Sequence, residues 1–272
     1  MRNVLFLDID GTLLSHKTFT VPRSAEDAVR KARKKGAVVF LCTGRSLCMT
    51  RGILDPSLYD GTVFCNGAAV QLNGKLEMEK PVDPSVVKHT IQSAERNHCA
   101  VSLMSSEVFF RNAMDMEVWK TRMEHFKVID TAFRNVLNHA LSADQLHGEP
   151  IYKMDIRYIS ESDADGFEKE LDPSLYMIHM LSEDGNSAGG GEITRTGATK
   201  GNAVRELMET RYGGYQSYGF GDSLNDLDLI QACDVGAAMG NAVQELKETA
   251  DFVTGDIEED GLAQAFHDLS LI

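Results

Sequence analysis

Apolar and polar positions along the chain form two regular blocks separated by a less regular middle. Residues 4–7 are a continuous apolar run, as expected of a strand covered on both faces. Ala25, Ala28, Val29 and Ala32 then recur at helical spacing, with Ser24 as the predicted cap and Gly36 as the stop. Residues 37–42 predict a second buried strand, 46–54 a second helix and 62–65 a third strand. Residues 70–72 and 76–78 flank Asn73-Gly74, a hairpin signal because both turn residues tolerate positive φ.

The pattern changes at Pro81 and Pro84. From there to about Gly191 the pattern predicts helices at 86–97 and 162–171 and strands at 100–104, 107–111, 151–159 and 176–181, closed by a glycine-rich return at 186–191. Alternation then resumes with helix 199–211, strand 215–220, helix 224–232, strand 235–238 and a last helix near 259–269. Two blocks of strand–helix alternation predict an α/β fold. Residues 1–81 and 190–272 should share one doubly wound parallel sheet, with residues 82–189 inserted as an α+β domain.

Composition narrows the function. The 272 residues carry a net charge of −14, which repels nucleic acid and anionic membranes at long range. The five cysteines (Cys42, Cys48, Cys65, Cys99 and Cys233) form no CxxC pair, so free thiols in a reducing compartment are expected. The N-terminal apolar run is short and ends in acid, and no apolar stretch approaches a membrane span. A soluble, cytoplasmic protein is expected.

In doubly wound sheets, ligands sit at the carboxyl ends of the strands. The first strand delivers Asp8-Ile9-Asp10-Gly11-Thr12 there, the second Thr43-Gly44-Arg45, and the strand after the insertion Gly221-Asp222-Ser223-Leu224-Asn225-Asp226. Each motif alone has a plainer explanation, since acids and hydroxyls after a strand also cap helices. Lys200 is harder to dismiss. A cation in the first turn of a helix opposes the macrodipole at a cost of about 0.3–1 kcal/mol. An anion should therefore lie beside it: Asp8, Asp222, Asp226 or a bound phosphate.

Together the motifs DIDGT, TGR, ATKG and GDSLND resemble the haloacid dehalogenase superfamily, specifically its Cof-type phosphatases, over about residues 3–80 and 191–268. The stretch AAMGNAVQELKETADFVT and the later EEDG are also similar to that family. The insertion matches only in placement and rough pattern. The resemblance implies a Rossmann-like core with a cap domain, and hydrolysis of a small phosphorylated metabolite through an aspartyl-phosphate. It implies Mg²⁺ on Asp8, Asp222 and the Asp10 carbonyl, which suits a hard cation. It implies that Asp8 is the nucleophile and that Asp10 is the acid and base. Thr43, Gly44, Lys200 and Asn225 would contact phosphate, Arg45 would help position substrate, and Asp226 would hold Lys200.

Residues 152–158 alternate, so Lys153, Asp155 and Arg157 share one strand face. That face is either a solvated sheet surface or a lining for the cleft. Asn66-Gly67 is a further candidate for positioning the substrate or the cap. Trp119 with Val118 and Met123 reads as packing, as do Met177 and Met180. A phosphomutase uses the same acyl phosphate and stays open as an alternative. So does a non-catalytic sensor of a phosphorylated ligand, although the intact acids and lysine argue against it. The substrate and the oligomeric state are not legible.

Overall fold

The computed structural model describes residues 2–118, 131–180 and 189–272. Trp119 and Met123 lie outside them. The described chain divides into two compact units. The first comprises Met1–Arg45, Thr50–Glu79 and Ala198–Ile272; the second comprises Ser46–Met49 and Lys80–Gly197.

The first unit is built on an eight-stranded sheet. Its early strands are β1 (Asn3–Asp8), β2 (Val38–Cys42), β3 (Gly61–Phe64), β4 (Ala69–Leu72) and β5 (Lys75–Glu79). The second unit contributes β6 (Ala100–Met104), β7 (Phe109–Arg111), β8 (Leu141–Ser142), β9 (Lys153–Arg157), β10 (Leu175–Met180) and β11 (Gly190–Arg195). The first sheet is completed by β12 (Gln216–Gly221), β13 (Val235–Ala238) and β14 (Phe252–Val253), giving the order β14-β13-β12-β1-β2-β3-β4-β5. The pairings from β14 to β3 are parallel, and β4 and β5 add an antiparallel hairpin at the edge. Asn73 at φ 49° and Gly74 at φ 77° make that hairpin's turn.

Alternate residues of β1 enter different cores. Leu5 and Leu7 pack with Val39, Leu41 and Phe220 beneath the helices Arg23–Lys34 and Gly261–Asp268. Val4 and Phe6 pack with Phe40 and Val63 beneath the helices Lys200–Thr210 and Leu227–Ala232. This two-sided burial explains why β1 reads as an unbroken apolar run. From β1 the chain builds outward to β2 and β3, and from β12 it builds the other way to β13 and β14. The β1–β12 junction is thus the switch point of the sheet, where the loops leaving the carboxyl ends diverge and leave a crevice.

The second unit has a six-stranded sheet, ordered β10-β11-β9-β6-β7-β8. Val101, Leu103, Phe110, Met154, Ile156 and Ile193 form its apolar face. Its boundary differs from the expected 82–189: the unit runs from Lys80 to Gly197 and also takes Ser46–Met49. Gly190 and Gly191 belong to β11, paired with both β9 and β10. A glycine strand carries no side-chain pattern, and here the close neighbours leave no room for one. A Cβ at Gly191 would sit 2.6 Å from Met177 Cγ.

Three local expectations are corrected. The helix Arg23–Lys34 is capped at Pro22, and Ser24 Oγ instead donates to Asp260 Oδ1 at 2.5 Å. The helix expected over 46–54 is only a short 3₁₀ turn, Leu47–Thr50, and Gly52, at φ 80°, cannot continue it as a right-handed helix. Met180 is exposed rather than core filling, while Met177 packs against the second unit's core. All five cysteines are free. Among the described residues, no helix is long and apolar enough to cross a membrane.

Candidate active site

The acids and the lysine singled out from sequence all lie in the first unit, on loops at the carboxyl ends of its strands and at one helix start. Asp8 is the last residue of β1 and is 4% exposed. Lys200 opens the helix Lys200–Thr210, whose N-cap Thr199 accepts the Asn202 amide at 3.2 Å. The Lys200 ammonium reaches Asp8 Oδ1 at 2.6 Å and Asp226 Oδ1 at 2.6 Å. Both partners of this cation are buried carboxylates, which offsets its unfavourable place at a helix N-terminus.

Asp226 is fully buried, and its second oxygen accepts the amides of Asp222 and Ser223, each at 3.1 Å. Three donors therefore fix its orientation. Asp222 accepts the Thr12 hydroxyl at 3.3 Å. Its carboxylate also fills the space beside Gly11, at φ 84°, where a Cβ would overlap it. One carboxylate oxygen from each of Asp8, Asp222 and Asp226 lies within 4.8 Å of the others.

Three carboxylates thus share one ammonium. Burial, reinforced by Asp226, pushes the Asp222 carboxyl up to about 7 against the pull of Lys200 and Thr12. Burial and Asp226 also raise Asp8, although Lys200 opposes them. For Lys200, burial alone would weaken the ammonium, but Asp226 and Asp8 outweigh it and hold it above its ordinary range. A compact group of hard oxygens with excess negative charge fits a small divalent cation. The donors already committed on Asp226 make it the least available of the three acids.

The second strand's loop lies on the same edge. Arg45 grips Asp10 with both ends of its guanidinium, Nε to Oδ2 at 2.8 Å and Nη2 to Oδ1 at 2.5 Å. The Thr43 hydroxyl accepts the Arg45 amide at 3.0 Å, which leaves its own O–H able to donate. Asn225 Nδ2 donates to Asn66 Oδ1 at 3.3 Å. A Cβ at Gly44 would sit 2.9 Å from the same Asn66 oxygen, so the missing side chain gives Asn66 its place.

Cys65, Asn66 and Gly67 take positive φ in succession, at 49°, 55° and 88°. Such backbone is costly for residues with a Cβ. The turn returns main-chain bonds to the second strand's loop: Cys65 N donates to Arg45 O at 2.9 Å and Asn66 N to Thr43 O at 3.0 Å. Thr12 sits inside DIDGT, yet sequence reasoning assigned it no role. Nor did it single out Asn241, whose Nδ2 donates to Gly11 O at 2.8 Å.

The strand residues Lys153, Asp155 and Arg157 belong to the second unit. Their face is not an ordinary solvated one. Lys153 is only 3% exposed and pairs with Glu192 and with Asp155, the latter at 3.3 Å. Arg157 meets the fully buried Asp115 at 3.3 Å.

Buried acids and a buried ammonium at a sheet switch point mark the ligand-binding edge of a doubly wound α/β protein. The chain belongs to the haloacid dehalogenase-like hydrolases, whose family profile matches residues 5–266. It is 26% identical to YkrA of Bacillus subtilis over 99% of this chain and 98% of that protein. It is 27% identical to the pyridoxal phosphate phosphatase YbhA of Escherichia coli, over 96% of each chain. The structure of BT1666 from Bacteroides thetaiotaomicron, a phosphatase of the same superfamily, superposes with a TM-score of 0.79 at 25% identity. That match covers 100% of this chain and 96% of the other.

Proposed function

We propose that this protein hydrolyses a small-molecule phosphate monoester, a sugar phosphate or a phosphorylated cofactor, by way of a phosphoryl group carried on Asp8. The observation that supports this best is the Lys200 ammonium, 2.6 Å from Asp8, beside the Asp222 carboxylate. The phosphatase YbhA, related along nearly the whole chain, supports the reaction class.

Asp8, Asp222 and the Asp10 main-chain carbonyl would hold Mg²⁺. Bound there, the ion supplies positive charge that lowers the repulsion between a phosphate and an anionic nucleophile. An Asp8 oxygen attacks phosphorus as the ester P–O bond breaks. Asp10, with one oxygen released from the Arg45 fork and protonated, would give that proton to the departing oxygen, then take one from the water that cleaves the acyl phosphate and regenerates Asp8. The Thr43 hydroxyl and the Gly44 amide donate to the phosphoryl oxygens, and Asn225 contacts them as well. Lys200 balances the charge that grows on those oxygens. Asp226, bonded to Lys200 at 2.6 Å, aims the ammonium. Arg45 sets the Asp10 carboxylate and helps position substrate.

The test is release of inorganic phosphate from a panel of phosphorylated metabolites with Mg²⁺, using wild type and Asp8→Asn. Turnover by wild type and none by the variant is the expected result, because an amide cannot accept the phosphoryl group. An active Asp8→Asn removes Asp8 from the chemistry. Phosphoryl return to substrate without phosphate release points to a mutase.

A further inference from the structure

Residues 239–243, between β13 and the helix Gln244–Thr249, touch both loops of the switch point. Met239 N donates to Gly221 O and Val243 N to Asp222 O, each at 2.9 Å. Between them, Asn241 Nδ2 donates to Gly11 O at 2.8 Å, and its Oδ1 accepts from Ile257 N at 3.0 Å. We propose that Asn241 is a positioning residue that fixes the loop carrying Asp10 and Gly11 against Asp222, and so sets the cation site. The proposal rests on the phosphatase reading above.

Gly11 has no side chain to hold it, and glycine backbone is the most permissive. Its carbonyl gives Asn241 a main-chain hold on the loop, beside the hold that Arg45 has on Asp10. The other side-chain tie from this loop to Asp222, the Thr12 hydroxyl, is longer at 3.3 Å. The second arm of Asn241 matters as much as the first. Because Oδ1 faces the Ile257 N–H, Nδ2 must face the Gly11 carbonyl, so the amide cannot be turned over without placing donor on donor. The same short stretch holds the Asp222 backbone through Val243. One short segment thus bonds both acid-bearing loops. A displacement of about 1 Å between such groups costs on the order of 10²-fold in rate.

The test compares Asn241→Asp and Asn241→Ala with wild type and Asp8→Asn in the full chain. Asn241→Asp keeps the shape and the acceptor arm but loses the donor; Asn241→Ala loses both. Hydrolysis of p-nitrophenyl phosphate gives kcat and KM, and melting curves give the Mg²⁺ concentration at half of the Mg²⁺-induced shift. In both variants kcat should fall about 10- to 100-fold with KM within about 3-fold, and in Asn241→Ala the Mg²⁺ half-point should rise several-fold. A residue that served only folding would lower the melting temperature without moving kcat or the half-point. Wild-type kcat and half-point in either folded variant overturn the proposal, and Asn241→Asp decides if Asn241→Ala does not fold. If wild type itself releases no phosphate, the phosphatase reading fails separately. The Mg²⁺ half-point then decides Asn241, and an unchanged value overturns it.

Discussion

Arg45 holds both carboxylate oxygens of Asp10, with Nε at 2.8 Å and Nη2 at 2.5 Å, in a planar fork that a lysine cannot reproduce. The Arg45 side chain is 11% exposed, while the Asp10 side chain it grips is 36% exposed, so water reaches the pair from the Asp10 side. With the fork lost, Arg45→Lys should behave nearly like Arg45→Ala, with kcat/KM for a phosphate ester reduced about 10-fold or more. Wild-type kinetics in the lysine variant would mean that charge alone, not the fork, is what Asp10 needs.

Lys200 is a different kind of ion pair. It is 1% exposed and serves two buried carboxylates at once. Removing one partner of a buried pair leaves uncompensated charge and costs about 3–5 kcal/mol. Lys200→Met should therefore lose phosphate release and lower the Mg²⁺-free melting temperature by about 6–20 °C. Arg96→Met, which breaks the exposed pair of Arg96 with Glu170, should shift it by no more than about 4 °C. Equal shifts in the two variants would contradict the burial argument.

The convergence of Asp8, Lys200 and Asp226 was legible in the sequence for particular reasons. An apolar run that stops abruptly at Asp8 marks a buried strand opening on a polar edge. A lysine in the first turn of a helix implies an anion nearby, and Asp8 and Asp226 supply it. What was illegible depends on partners far along the chain. Asn241 donates to the carbonyl of Gly11, 230 positions away, and nothing in its neighbours along the chain signals that. Ser24 has the composition of a helix cap but bonds Asp260 instead. The alternation of Lys153, Asp155 and Arg157 correctly gave a shared face. Alternation cannot tell a solvated charged face from one whose charges are paired and covered. Gly190 and Gly191 looked like a loop because a strand made of glycine shows no period at all.

The Asp222 carboxyl gives a pH prediction with a definite sign. Burial, helped by Asp226, raises it from 3.8 to about 7. A raised carboxyl takes up protons in the folded state. Its favourable contribution is therefore complete below about pH 4 and is lost as pH rises through 7. That rise is worth about 4 kcal/mol at most. In the absence of Mg²⁺, Asp222→Asn should melt above wild type at pH 8, by about 5–15 °C, and the gap should close toward pH 5. Mg²⁺ should stabilise wild type at pH 8 and leave the variant nearly unmoved. Differential scanning calorimetry of both proteins across that pH range checks it, and a pH-independent gap would show that Asp222 carries no such charge cost.

Gly67 tests whether the turn after β3 places the lysine. Its φ is 88°, and a Cβ there would overlap the Thr199 carbonyl and lie 2.8 Å from Lys200 N. The obstacle is backbone, so no side-chain rotation relieves it, and the start of the helix Lys200–Thr210 must move. Gly52 offers the control: it also has positive φ, at 80°, but a Cβ there meets nothing within 4 Å. Gly52→Ala should incur only the conformational cost, about 1–2 kcal/mol, with unchanged kcat. Gly67→Ala adds overpacking of about 1–3 kcal/mol and displaces the ammonium from Asp8, so kcat should fall about 10-fold or more. Urea unfolding and phosphate release on the two variants separate the effects. Equal kcat in both would mean that the helix start tolerates the shift and that Lys200 keeps its contact through side-chain flexibility.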